Sequence, residues 1–257
     1  MPKDIDCFIT ARTSSTRLPG KALLPLGERT VIEHNILRAQ GASHIRYVVL
    51  CTTDDPSDDH LAEVGKAAGA QVFRGSVKDK LTRWLGALNT FGAHGFVTYD
   101  NDDLFVDPSL IDQAADLLRS GSCDMVYPSE EVVCGGFDFA FTKEALERIV
   151  SQKTSDDTEM IDPYIDAVTD LRRVPIVAPA ILCGSDARLT LDYIEDYEFF
   201  KQVITEMPLT DPKTPLSDIM KFLSGRHDIV ERNVFRQKDY LAKRATMREA
   251  LDTQSTL

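Results

Sequence analysis

The sequence predicts an α/β protein with a mostly parallel central sheet and helices on both faces. Two observations point there. Short apolar, β-branched runs alternate with helix-period segments along the first half of the 257-residue chain. The helical segments also begin and end at the usual signals, Pro near the first turn and Gly after the last. Residues 5–10 (IDCFIT) read as the first strand. Residues 30–40 place Val31, Ile32, Ile36 and Leu37 on one helical face. Residues 46–52 (RYVVLCT) form a strand, and 56–68, opened by Pro56 and closed by Gly69, a helix. A strand over 71–74, a helix over 77–91, a strand over 95–99, a helix over 108–119 and a strand over 124–127 continue the alternation.

After Pro128 the pattern loosens. Residues 132–141, rich in Gly and aromatics, predict strands of another direction. Residues 143–150 read as helix and 151–158 as a polar loop. Residues 175–180 and 188–192 read as strands, and 195–206, 215–223 and 237–251 as helices. The polar tail, 253–257, is expected to fray. With no internal repeat or linker, the chain reads as one domain over 1–257. A lid- or dimerisation-type insertion spans about 128–180.

Composition narrows the function. There are 29 Lys+Arg against 41 Asp+Glu, a formal charge of −12, which argues against a nucleic-acid scaffold. No window approaches 18 apolar residues, so no membrane-spanning helix is expected. The start, Met1-Pro2-Lys3-Asp4-Ile5-Asp6, is acidic where a signal peptide is basic, which predicts a cytoplasmic location. Cys7, Cys51, Cys123, Cys134 and Cys183 are odd in number, dispersed, and read as reduced thiols. Trp84 reads as packing, and the five histidines show no metal-ligand spacing.

The first strand ends in Ala11-Arg12-Thr13-Ser14-Ser15-Thr16-Arg17-Leu18-Pro19-Gly20-Lys21. Ligands of open α/β sheets gather at such carboxyl ends. Three cations and four hydroxyls within this stretch suit a polyphosphate, and a solvated basic turn is the competing reading. Neither a Walker P-loop nor a dinucleotide G-x-G-x-x-G is present. The string resembles the A-R-x-x-S-x-R-x-P-x-K signature of the cytidylyltransferases that make CMP-sugar acids. It is nearest to the relatives grouped with spore-coat polysaccharide cytidylyltransferases. Val48-Val49-Leu50-Cys51-Thr52-Thr53 with Asp58-Asp59 is similar to the family's second strand and loop, near base and ribose. Arg74-Gly75-Ser76, followed by Asp79, Leu81 and Arg83, is similar to its R-G-S-x-x-D-x-L-x-R segment.

The resemblance implies a Rossmann-like nucleotidyltransferase fold, CTP and Mg²⁺, release of pyrophosphate, a homodimer and a place in polysaccharide biosynthesis. By it, Arg12, Arg17 and Lys21 are catalytic. The nucleotide meets Ala11, Arg12, Ser14, Ser15, Arg17, Lys21, Thr52, Thr53, Arg74, Gly75 and Ser76. Thr98-Tyr99-Asp100-Asn101-Asp102-Asp103 stands where the family reads T-G-D-x-P, which nominates Asp100 as a metal ligand. For Asp102 and Asp103, ligation and a turn before Pro108 remain equal alternatives. Arg188-Leu189-Thr190-Leu191-Asp192-Tyr193-Ile194-Glu195-Asp196 matches R-x-T-x-D-x-x-E-D and nominates Asp192. An N-cap role for Asp192, with Glu195 completing a capping box, is compatible with that.

Departures from the family fall on its acceptor side. Tyr99 stands at the glycine, Asp102 at the proline, and Asp103 is extra. Cys134-Gly135-Gly136-Phe137-Asp138-Phe139-Ala140 lacks the family's Glu, and Thr158-Glu159-Met160-Ile161-Asp162-Pro163-Tyr164-Ile165 its His. The acceptor is therefore expected to be a small anion: a sugar acid, a phosphosugar or a phosphonate. Arg172-Arg173 reads as a solvated surface pair. Two other readings stand beside this one. Asp100-Asn101-Asp102 is a D-x-D, as in metal-dependent glycosyltransferases of similar architecture that use nucleotide-sugar donors. A silent nucleotide-binding module is the third.

Overall fold

Ile5–Thr10 (β1) is apolar on both faces, and the chain buries both. Ile5, Cys7 and Ile9 join one hydrophobic cluster, while Phe8 joins a second. Asp6 is 0% exposed, and its two oxygens accept from Arg46 Nε and Nη2 at 3.0 and 2.8 Å. A charge in a central strand is tolerated because that fork is present.

The computed structural model describes residues 4–129, 131–239 and 241–242. After β1 come a short hairpin of β2 (Pro25–Leu26) and β3 (Arg29–Thr30), then α1 (Val31–Gln40), β4 (Val48–Thr53) and α2 (Asp59–Ala67). Next are β5 (Gln71–Gly75), α3 (Lys80–Phe91), β6 (Gly95–Asp100), α4 (Pro108–Ser120) and β7 (Met125–Tyr127). Then follow β8 (Phe139–Thr142), α5 (Lys143–Gln152), α6 (Asp162–Ala167), β9 (Arg173–Pro175), α7 (Ile194–Glu206), α8 (Leu216–Ser224) and α9 (His227–Val230).

Seven strands form one sheet in the order β5-β4-β1-β6-β8-β7-β9. Only β8 runs against the others, pairing antiparallel with β6 and β7. It is the strand of another direction expected within 132–141. On one face lie α1, α2 and α4; on the other α3 and α5, around Phe8, Trp84, Phe96 and Phe141. Trp84 is 0% exposed and packs 5.4 Å from the Phe96 ring, so it serves the core as expected. All five cysteines are free. No helix among the described residues is long and apolar enough to cross a membrane.

Several expected boundaries move, each for a local reason. The helix expected over 77–91 starts at Lys80, because Asp79 caps it by accepting from Thr82 N at 3.0 Å. The strand expected at 175–180 lies earlier, at β9, where it pairs with β7. Residues 188–192 form no strand among the described residues and make one isolated bridge, Arg188 to Cys134. Their N–H groups turn elsewhere: Leu189 donates to Cys134 O at 3.0 Å and Leu191 to Asp102 O at 2.8 Å. The helix expected over 237–251 lies mostly, and the tail at 253–257 wholly, outside the described residues.

The parallel strands bring their carboxyl ends to one edge. Thr10 pairs across from both Cys51 and Asp100, so the loop after β1 starts beside Asp100.

Candidate active site

The loop from Ala11 to Lys21 is shaped by one turn and one anchor. Gly20 takes φ 67°, a conformation glycine adopts without strain, and Lys21 N closes the turn on Leu18 O at 3.2 Å. At its start, Thr13 N and Oγ1 donate to Asp58 Oδ1 at 2.8 and 2.6 Å, while Thr53 Oγ1 donates to Asp58 Oδ2. Burial would raise the Asp58 carboxyl, but these hydrogen bonds outweigh it and hold it below its usual 3.8. Such a depressed group stabilises the fold above its ordinary value and loses that contribution as pH falls through the lowered one. The stability gap between wild type and Asp58→Asn is therefore expected to be full at pH 6 and to close in strong acid. Thermal unfolding across that range measures it; a gap that stays constant with pH would remove Asp58 from the anchor.

The cations of the loop divide. Lys21 Nζ lies 2.9 Å from Asp102 Oδ2, 2.8 Å from Leu191 O and 3.3 Å from Asp192 Oδ1. Arg17 Nη2 lies 2.7 Å from Asp192 Oδ1. Arg12 turns to the other rim, donating to Val77 O at 3.1 Å and pairing with Glu159 at 2.8 Å. Ser14 is exposed, Ser15 half-buried and Ala11 buried.

Asp192 does not cap α7. The cap is Tyr193, and Asp196 Oδ2 accepts from the N–H groups of Asp192 and Tyr193, each at 2.9 Å. Asp192 is instead drawn by three cations, because Arg188 Nη2 reaches its Oδ2 at 3.1 Å. Arg188 is itself 0% exposed and bonds Asp196 Oδ1 through Nε at 3.0 Å and Gln237 through Nη1 at 3.0 Å. Burial, then the Asp102 charge, raises the Asp192 carboxyl against the pull of Lys21 and Arg17. For Asp102, burial would raise the carboxyl, but the charge and hydrogen bond of Lys21, with a backbone hydrogen bond and the Lys80 charge, together lower it.

Asp100 ends β6. Its Oδ2 accepts from Lys80 Nζ at 2.8 Å, and its Oδ1 is buried without a hydrogen-bond partner among the described residues. Burial raises its carboxyl although Lys80 opposes that. An orphaned carboxylate oxygen at a strand end suits a cation. Among the described residues no three His, Cys, Asp or Glu side chains gather for a metal. Asp100 and Asp192 share a neighbour in Asp102, whose charge, after burial, raises both carboxyls, and carboxylates are the donors a hard divalent ion takes beside phosphate and water. Asp103 and Asp138 are raised well above the usual range, by burial and by neighbouring acids.

Other residues named from the sequence serve as scaffold here. Arg74 staples the loop after β4, with Nε to Thr53 O at 2.8 Å, Nη1 to Asp59 at 2.6 Å and Nη2 to Asp55 O at 2.8 Å. Thr52 and Thr53 are 0% and 1% exposed. Ser76 Oγ accepts from Asp79 N at 3.1 Å, and Gly75 packs against Phe73, where an added Cβ would stand 3.0 Å from Cε1. Tyr99 faces away from the site: it is 1% exposed, and its hydroxyl donates to Asn35 O at 2.5 Å. Its departure from the family glycine is thus absorbed by the core. Arg172 and Arg173 pair at the surface with Asp124 and Asp166. Sequence reasoning missed Lys80 and left Arg188 without a role. A lysine in the first turn of a helix opposes the helix dipole, and that was the available signal for Lys80.

Comparison with known proteins identifies the family. A family model described as cytidylyltransferase matches residues 7–238. An uncharacterised protein of Methanocaldococcus jannaschii is 30% identical, over 91% of this chain and 96% of its own. A spore coat polysaccharide biosynthesis protein of Bacillus subtilis is 31% identical, over 88% and 96%. Among solved structures, a cytidylyltransferase from Leptospira borgpetersenii is similar with a TM-score of 0.81 at 29% identity, covering 89% of this chain and 97% of that one. A CMP-2-keto-3-deoxy-manno-octonic acid synthetase complexed with CTP shares the fold, with a TM-score of 0.62 at 15% identity over 79% and 99% of the two chains. With a family match that runs from β1 to beyond α9, the chain belongs to the cytidylyltransferase family and is a CTP-dependent nucleotidyltransferase.

Proposed function

We propose that the protein transfers CMP from CTP to a small acidic acceptor, a sugar acid, phosphosugar or phosphonate, in a Mg²⁺-dependent reaction that releases pyrophosphate. One observation carries this reading. The cationic loop after β1 meets the carboxylates at the ends of β6 and of the 188–192 segment, through Lys21 at 2.9 Å from Asp102 and 3.3 Å from Asp192. The name of the Bacillus relative supports an acceptor on the way to a polysaccharide.

In this reading an acceptor oxygen attacks the α-phosphorus in line. The new O–P bond forms as the bond to the β-phosphate breaks, and pyrophosphate takes the electron pair. Arg17 and Lys21 exchange their carboxylate partners for the β- and γ-phosphates and stabilise charge on the leaving group. Arg12 closes on the triphosphate from the Val77 side. Ala11, Ser14 and Ser15 present the loop's backbone and hydroxyls. Thr52, Thr53, Arg74, Gly75 and Ser76 hold the wall that faces base and ribose. Asp100 and Asp192 would hold Mg²⁺, which when bound supplies charge neutralisation and polarisation at the α-phosphate. The protein's share is positioning and fixed charge. The reading extends to a cytoplasmic homodimer whose single domain covers 1–257, with 128–180 as its insertion.

A panel of nucleotides against acceptors, scored by pyrophosphate release, tests it. Phosphonates and phosphorylated amino acids belong beside the sugar acids. Pyrophosphate is expected from CTP with one acceptor class and a divalent ion. Pyrophosphate from another nucleotide in preference to CTP, or none with any acceptor despite CTP binding, would overturn it.

A further inference from the structure

We propose that Lys80 is a positioning residue for Asp100: its ammonium takes Oδ2 and so presents Oδ1 to the divalent ion that accompanies CTP. The inference rests on the reading of Asp100 as a metal ligand. Lys80 is an odd residue where it stands. It opens α3 directly after the capping Asp79, so its charge opposes the helix dipole. It is also 7% exposed, which strips most of the water from an ammonium. Neither condition favours a lysine unless a fixed partner compensates. The partner is Asp100, at 2.8 Å, and among the described residues no other carboxylate lies within ion-pair distance of Lys80. The ammonium also lies over the Trp84 ring, 5.2 Å from its centroid.

The geometry is asymmetric in a useful way. A lysine is a point donor, so one carboxylate oxygen is engaged and the other is not. Asp100 Oδ2 is held while Oδ1 is buried and unbonded. A side chain whose one oxygen is fixed has little freedom left for the other. Partners of this kind orient metal ligands and tune affinity. Lys80 also stands apart from Arg17 and Lys21, which engage Asp102 and Asp192, and from Arg12, which pairs with Glu159, so its effect is separable from theirs.

The test measures CTP affinity by calorimetry without acceptor, once with Mn²⁺ and once with EDTA. The ratio of the two dissociation constants reports metal coupling, independently of turnover. Lys80→Met is expected to shrink that ratio by about tenfold or more, with the EDTA value within about twofold of wild type. Lys80→Arg keeps the charge but offers a fork that covers both oxygens, and it is expected to shrink the ratio as well. Asp100→Asn is the reference and is expected to abolish the coupling. An unchanged or larger ratio in Lys80→Met, with Asp100→Asn reduced, overturns the role of Lys80 alone. An unchanged ratio in Asp100→Asn overturns the ligand reading and the role of Lys80 with it. Should Lys80→Met fail to fold, Lys80→Arg decides by the same ratio.

Discussion

Lys21→Ala is expected to lower kcat/KM for CTP by about a hundred- to a thousandfold, the usual cost of removing one preorganised donor from a transition state. The Lys21 ammonium already stands between Asp102 and Asp192, with its side chain 12% exposed. To meet a leaving pyrophosphate it exchanges those carboxylates for phosphate oxygens, from a stem that is already in place. Lys21→Arg should not restore the rate, because the guanidinium fork is wider than the three-point seat formed by Asp102, Leu191 O and Asp192. The fold should persist, since Asp192 keeps Arg17 and Arg188. Steady-state pyrophosphate release, read beside a urea unfolding curve, separates the two effects. A variant within threefold of wild type would remove Lys21 from the chemistry.

Arg188→Met should act the other way, on stability first. Arg188 is wholly buried and bonds Asp192, Asp196 and Gln237, and Asn233 Nδ2 closes on its carbonyl at 2.9 Å and on Asp196 Oδ1 at 3.0 Å. Removing the cation leaves Asp196, 0% exposed, without its charged partner, and takes from Asp192 one of its three cations. Breaking a buried pair from one side costs about 3–5 kcal/mol. Urea denaturation should show a loss of that size, and Arg188→Met with Asp196→Leu should recover part of it. A loss below about 1 kcal/mol would mean that water enters and replaces the arginine.

The contrast between these two residues shows what a sequence can make legible. The placement of Lys21 was readable because a short, contiguous loop leaves the end of a strand whose own pattern is clear, and the structure sets its ammonium beside Asp102 and Asp192. Asp100 and Asp192 were nominated by the family resemblance, and the sequence also placed Asp100 directly after an apolar run, where the structure ends β6. Arg188 and Lys80 were not legible, because their roles arise from partners far along the chain. Arg188 reaches Gln237, and Lys80 finds Asp100 through α3, whose Trp84 packs on Phe96 of β6. The capping assignment failed for a related reason. Three aspartate or glutamate positions near the start of α7 compete for one cap, and the buried guanidinium of Arg188 decides the outcome. Likewise 188–192 has the composition of a strand but makes only one bridge, to Cys134, and its backbone donors turn to Cys134 and Asp102. Residue pattern reports a readiness to extend; pairing depends on the neighbour that folding supplies.

Trp84 carries one more consequence. It is the chain's only tryptophan. Its indole N–H donates to Thr10 Oγ1 at 2.9 Å, at the strand end from which the phosphate-facing loop departs, and the Lys80 ammonium lies over its ring. A single indole joined to both halves of the site makes the molecule its own optical probe. Intrinsic emission can follow events there without any attached dye, against a background free of competing indoles.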